Sequence, residues 1–177
     1  MTTELIQARL ELFTKYIQEL YQREEIEIPD GEDMVEKFRS IHSNPFMKWK
    51  DIYPDGHSAN AKNAPEGVLP IGFIVIGQYP ECHPQADVYI AEAYLNPEYR
   101  RQHIMTKTIK ELVTMCGGTY CMFVASKNDI AKQFWNKVFT DVGYVQFELS
   151  QDPITKPSLH FILYGFKKSI KEKHSLL

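Results

Sequence analysis

Residues 88–105 read Val-Tyr-Ile-Ala-Glu-Ala-Tyr-Leu-Asn-Pro-Glu-Tyr-Arg-Arg-Gln-His-Ile-Met. Val88 to Leu95 has strand composition, and Asn96-Pro97-Glu98 stops it, because Pro97 offers no N–H and disfavours helix at the residue before it. From Ile104 the period changes to that of a helix, with Met105, Ile109, Leu112 and Cys116 on one face. Gly117-Gly118 ends that helix, and Tyr120 to Ala125 (Tyr-Cys-Met-Phe-Val-Ala) reads as a buried strand. A strand, a helix and a strand in 38 residues predict two parallel strands with a right-handed crossover. The helix then starts beyond the carboxyl end of the first strand, where its free N–H groups and dipole favour an anion. Arg100 and Arg101 oppose that dipole on stability grounds alone. A bound pyrophosphate would explain them, and so would plain solvation of two surface charges.

Outward from this segment the rest of an α/β chain is legible. Ile6, Leu10, Phe13, Ile17 and Leu20 mark an amphipathic helix over the first 24 residues. After Pro29-Asp30-Gly31, Met34, Phe38 and Ile41 predict a second, short helix with Asp30 as its N-cap. Residues 43–67 hold Asn44-Pro45, Pro54-Asp55-Gly56 and Ala64-Pro65-Glu66-Gly67, which predict a long loop. Strands are expected at Ile71–Gln78, Tyr144–Leu149 and His160–Phe166. A helix opens at Asn128, with Ala131, Trp135, Val138 and Val142 inward, and ends at Gly143. The lysine-rich end from Lys167 to Leu177 reads as a frayed tail. No composition shift marks a boundary, so residues 1–177 are expected to form one domain: N-terminal helices to 43, a loop to 67, a core to 150, then a last strand and tail.

The chain has 177 residues, 44% of them hydrophobic and 24% charged, with a net charge of −3. That is globular composition. It lacks the basic surplus of a protein that holds nucleic acid through phosphates, so no nucleic-acid partner is expected. The longest apolar stretch, Val68 to Gly77, falls short of the about 20 residues a membrane span needs, and the first residues do not resemble a signal peptide. Three cysteines, Cys82, Cys116 and Cys121, give no disulfide framework. Reduced thiols in the cytoplasm are the expectation, with Cys116 and Cys121 as small buried apolar residues. Cys82-His83 and His57 lack metal-ligand spacing, so no metal is expected. The motifs of esterases, nucleoside triphosphatases and dinucleotide enzymes are missing.

Three pieces, in order, resemble the GNAT superfamily, the acetyl-CoA-dependent N-acetyltransferases. Tyr94-Leu95-Asn96-Pro97-Glu98-Tyr99-Arg100-Arg101 is similar to the family's V-x-P-E-Y-R-G/R strand end. Arg100 to Met105 stands in the place of the R/Q-x-x-G-x-G/A pyrophosphate loop, with His103 and Met105 at the small-residue positions. Asn128 to Trp135, followed by Gly143-Tyr144, is similar to N-x-x-A-x-x-F/L-Y and the terminal G-F. The resemblance covers roughly residues 68–150. It implies a mixed twisted sheet of about six or seven strands flanked by helices on both faces, with the strand ending at Leu95 splayed from that at 120–126 around a pantetheine arm.

The resemblance also implies site roles. Backbone groups of Ala93 and Leu95 would pair with the arm, and the amide near Ala93 would polarise the thioester carbonyl. Arg100 takes the R/Q position, and the amides of Arg101, Gln102, His103, Ile104 and Met105 would hold the pyrophosphate. A Cβ at His103 is tolerable there if φ stays negative. Asn128 would face the arm. Trp135, core or a lid on the arm, replaces the tyrosine that commonly protonates the leaving thiolate, and indole is a donor only. The family's basic glutamate aligns with Tyr89, a relay or a packing residue. Glu92 is a base or, on strand parity, an exposed carboxylate.

The expected activity is acetyl transfer from acetyl-CoA to an amine of a small molecule or peptide by direct attack. Asp51, Asp55 and Glu66 would suit a cationic acceptor, or are simply solvated. A non-catalytic binding or sensor module of the same fold is the alternative. A homodimer through the N-terminal helix is a third reading.

Overall fold

The computed structural model describes residues 2–23, 33–60, 63–77, 86–148 and 159–165. Among them are α1 (Thr3–Gln22), α2 (Met34–Ser43), β1 (Met47–Ile52), β2 (Ser58–Ala59), β3 (Gly72–Gly77), β4 (Val88–Leu95), a 3-10 turn (Pro97–Tyr99), α3 (Ile104–Cys116), β5 (Tyr120–Ala125), α4 (Asp129–Asp141), β6 (Val145–Glu148) and β7 (Leu159–Gly165). The seven strands form one mixed sheet in the order β2-β1-β3-β4-β5-β7-β6. β4 and β5 are parallel and the other recorded pairings are antiparallel. The predicted crossover is therefore present, and α3 has the expected bounds. Two compact units divide the chain: Met1–Gly77 with Ala91–Thr108, and Gln78–Ile90 with Ile109–Leu177.

In the first unit, α1 and α2 bury an aromatic core. Leu12, Phe13, Ile17, Phe38, Trp49, Phe73, Val75 and Tyr94 pack together, and the Trp49 and Phe73 rings stack at 4.4 Å. The buried stripe of α1 is Leu5, Arg9, Leu12, Phe13 and Ile17, rotated from the expected one: Ile6 is exposed. The N-cap of α2 is Asp33, whose carboxylate accepts from the Val35 N–H; Asp30 lies outside the described residues. The loop expected over 43–67 contains two strands. β1 pairs with β3 along its whole length, Met47 opposite Gly77 and Ile52 opposite Gly72. Asp51, expected to suit a cationic acceptor or to be simply solvated, is fully buried. It takes two hydrogen bonds from Arg9, at 2.8 Å each, and one from the Trp49 indole. Arg9 also donates to His42 Nε2 at 2.7 Å, which requires a neutral imidazole there, and burial lowers the pKa of His42 in the same sense. Gly72 allows β3 to approach the end of β4, where a Cβ would collide with the Tyr94 carbonyl oxygen.

In the second unit, Tyr120, Phe139, Tyr144 and Tyr164 form the core, with the Phe139 and Tyr164 rings stacked 4.2 Å apart. Val88, Tyr89 and Ile90 of β4 pair with Tyr120, Cys121 and Met122. Gly117 and Gly118 both have positive φ. At Gly118 a side chain would meet Asp87, whose carboxylate accepts from the Thr119 N–H. Cys121 is buried as expected, but Cys116 is exposed. The inward face of α3 runs through Ile109, Leu112 and Val113 instead, one step round from Cys116. No helix among the described residues is long and apolar enough to cross a membrane, and no metal-binding cluster occurs among them. Cys82, His83 and the tail from Lys167 lie outside the described residues.

Candidate active site

The first unit carries nine of the candidate residues on one continuous stretch, from Glu92 to Met105. Ala93, half-buried, and Leu95, buried, alternate along β4 with Glu92 and Tyr94. The strand end is held by the Asn96 N–H donating to the Ile71 carbonyl, and the 3-10 turn follows. Arg100 then folds back. Its Nε donates to the Leu95 carbonyl at 2.8 Å, and its Nη2 donates to both oxygens of Glu19 at 2.9 and 2.8 Å. The guanidinium lies over the Tyr94 ring, 5.4 Å from its centroid.

Beyond Arg100 the backbone turns twice into the left-handed region, with φ +63° at Arg101 and +59° at His103. The negative φ that would have made a side chain harmless at His103 is therefore not adopted. Neither residue is glycine, and each such residue costs about 1 kcal/mol or more. From Arg101 to Thr106 no backbone N–H finds an acceptor among the described residues; the next, at Lys107, donates to the His103 carbonyl. Arg101, Gln102 and His103 are exposed, Ile104 is buried and Met105 is half-buried. Gln102 ties back to the Glu98 carbonyl through its side chain. Thr108, buried, bonds the Gly56 carbonyl, and Lys107 bonds that of Asp55, so the β1–β2 turn braces the start of α3. That engages Asp55 through its backbone. Glu66 is exposed.

Glu92 is not an exposed strand carboxylate. It is half-buried, and its Oε2 accepts a short hydrogen bond from the Tyr16 hydroxyl of α1. Burial pushes its pKa up to about 7, and the Tyr16 bond and the Lys37 charge oppose that rise without cancelling it. A carboxyl poised near neutrality is suited to taking a proton from an amine. Tyr16 and Glu19 carried no signal in the sequence beyond their places on α1. The Tyr16 ring packs against Phe73 and Tyr94, at 5.8 and 5.7 Å between ring centroids.

The second unit holds the other three. The Tyr89 ring packs edge-on against Phe123. Asn128 is the N-cap of α4, its side-chain oxygen accepting from the Ala131 N–H. Trp135 is buried against Phe134 and Phe139.

Comparison with known proteins bears on the family and the fold. The sequence model of the Acetyltransferase (GNAT) family matches residues 14–139. No curated protein matches. Solved structures share the fold at low identity. An acetyltransferase from Thermus thermophilus is 15% identical with a TM-score of 0.57, over 92% of each chain. The diaminobutyrate acetyltransferase of Paenibacillus lautus, solved with its substrate and coenzyme A, is 12% identical with a TM-score of 0.55, over 90% of this chain and 88% of that one. The GCN5 protein of Tetrahymena is 10% identical with a TM-score of 0.57, over 92% and 86%. The family match spans well over half of the sequence and includes β4, the strained turn and α3, so the chain belongs to the GNAT acetyltransferase family.

Proposed function

We propose that this chain, acting as one domain, moves an acetyl group from acetyl-CoA to an amine of a small molecule or a peptide. The observation that carries this reading is the turn from Arg101 to Met105: left-handed backbone at two residues with side chains, and N–H groups without acceptors among the described residues. Strain of this kind is retained where the backbone has a ligand to meet. Five successive amides at a helix start suit a pyrophosphate. His103 and Met105 stand at positions the family keeps small, and the amides serve without their side chains.

In this reading Glu92 receives the proton of the attacking amine, directly or through water. Acid–base help of this kind contributes about 10²–10⁴-fold. The Ala93 amide steadies the carbonyl oxygen as it gains charge, and Leu95 aligns the pantetheine arm through its backbone. Asn128 and Trp135 stay candidates for the arm by the family resemblance, and Tyr89 is packing. Positioning the amine supplies most of the remaining rate. Thiolate is a good enough leaving group to depart without a dedicated acid at position 135. Arg100 holds the head of the turn, with its Nη2 on Glu19 and its Nε on the Leu95 carbonyl.

One observation favours a second reading. Trp135 is buried and its indole accepts no proton and gives none up, so a CoA-binding module without turnover fits the same chain. Release of free thiol from acetyl-CoA with a panel of amines separates the two. Turnover lost in Glu92→Gln supports the enzyme; saturable binding with no thiol released under any amine supports the module. Three cysteines without paired spacing favour a cytoplasmic protein, and the net charge of −3 favours one without a nucleic-acid partner.

A further inference from the structure

We propose that Glu19 of α1 is a positioning residue for the cofactor's pyrophosphate: it clamps Arg100 and thereby holds the turn 101–105 in its ligand-ready conformation. This rests on the acetyl-CoA reading above. Glu19 collects four hydrogen bonds. Two come from Arg100 Nη2, one from the Tyr94 hydroxyl at 3.0 Å and one from Arg23 at 3.1 Å. Arg100 is fixed at three further points: its Nε on the Leu95 carbonyl, its face on the Tyr94 ring and its own N–H on the Pro97 carbonyl. The next residue, Arg101, is the first of the two left-handed ones.

Two left-handed residues with side chains do not hold themselves in place. Something must over-determine them. The downstream end is fixed by the helix and by Thr108 and Lys107 on the β1–β2 turn. The upstream end is fixed by Arg100 and by the Gln102 side chain on the Glu98 carbonyl, and the Arg100 guanidinium has Glu19 as its one charged partner among the described residues. An arginine at the head of a phosphate loop invites assignment to the phosphate. Here its Nε and Nη2 donors are spent on protein acceptors, which ties the guanidinium to the strand end and to α1.

The consequence is specific to the pyrophosphate. Releasing Arg100 lowers the fraction of chains with the turn formed, and the apparent affinity falls by that fraction. Only a ligand that uses the turn feels the loss. The experiment is calorimetric titration of the full chain and of Glu19→Gln with acetyl-CoA and with acetyl-pantetheine, which carries the same thioester without the pyrophosphate. The variant is expected to bind acetyl-CoA about tenfold more weakly and acetyl-pantetheine unchanged. Tyr94→Phe removes one of the four bonds and is expected to give a smaller loss in the same direction, which keeps the test available if Glu19→Gln folds poorly. Unchanged acetyl-CoA affinity in both variants, or equal weakening for the two thioesters, overturns the positioning role while leaving the acetyl-CoA reading intact. Failure of the unaltered chain to bind acetyl-CoA overturns both.

Discussion

Replacing Glu92 with glutamine should strengthen the fold and weaken the chemistry at once. The pKa of Glu92 rises from 4.5 to about 7, with burial as the main cause. Below 4.5 the proton is bound in both folded and unfolded chains. Between 4.5 and about 7 the folded chain alone holds it, so stability contributed by the neutral carboxyl is lost as pH rises through that window. One pKa unit is worth 1.36 kcal/mol. The charged carboxylate therefore costs the fold about 3 kcal/mol at pH 8 and about 1 kcal/mol at pH 5. The first figure is an upper one, because a half-buried group keeps some contact with water. Glutamine keeps an acceptor for Tyr16 and carries no charge, so it recovers that cost. At about 2–4 °C per kcal/mol for a chain of this size, melting at pH 8 should rise by about 5–10 °C, and far less at pH 5. In the proposed reaction thiol release should fall about 10²-fold or more, and the unaltered chain should lose kcat/KM as pH drops below about 7. Tyr16→Phe removes the bond that favours the carboxylate and should move that limb to higher pH. A variant no more stable at pH 8 than at pH 5, relative to the unaltered chain, would refute the burial argument.

Other substitutions probe the frame. Arg9→Met leaves Asp51 charged, buried and without its bidentate partner, so chemical unfolding should show a loss of about 3–5 kcal/mol. Restoring a neutral pair with Asp51→Asn in the same chain should recover part of it. His103→Gly suits φ +59°, and glycine's extra chain entropy roughly offsets the relief. Its stability should stay within about 1 kcal/mol, with acetyl-CoA bound at least as tightly. His103→Val puts a β-branched residue at the same φ and should be destabilising and bind more weakly in the same titration.

The central motif was legible because each of its residues obeys the rule of its own element. Val88–Leu95, the stop at Pro97 and the period from Ile104 to Cys116 all speak locally, and α3 and β5 have the expected bounds. β1 was hidden for a physical reason. Met47 and Trp49 alternate inward, but the next inward residue is Asp51, which reads as surface. Arg9 breaks the apolar stripe of α1 in the same way. The two residues that spoil their own patterns bond each other across 42 positions, and no single-element pattern contains that pair. The site shows the same division. Glu92 was visible as a residue of the right chemistry, but its burial and its Tyr16 partner come from α1, 76 positions away. The commitment of Arg100 to Glu19 was likewise out of reach of a motif, which places an arginine and says nothing of where its guanidinium turns.

The most direct test of the account is to follow the backbone amide resonances of Arg101 to Met105 while acetyl-CoA is added. Saturable shifts confined to these amides and their neighbours, absent with acetyl-pantetheine, are the predicted result. Amides of that turn unmoved at millimolar acetyl-CoA would contradict it, and the strained backbone there would need another cause.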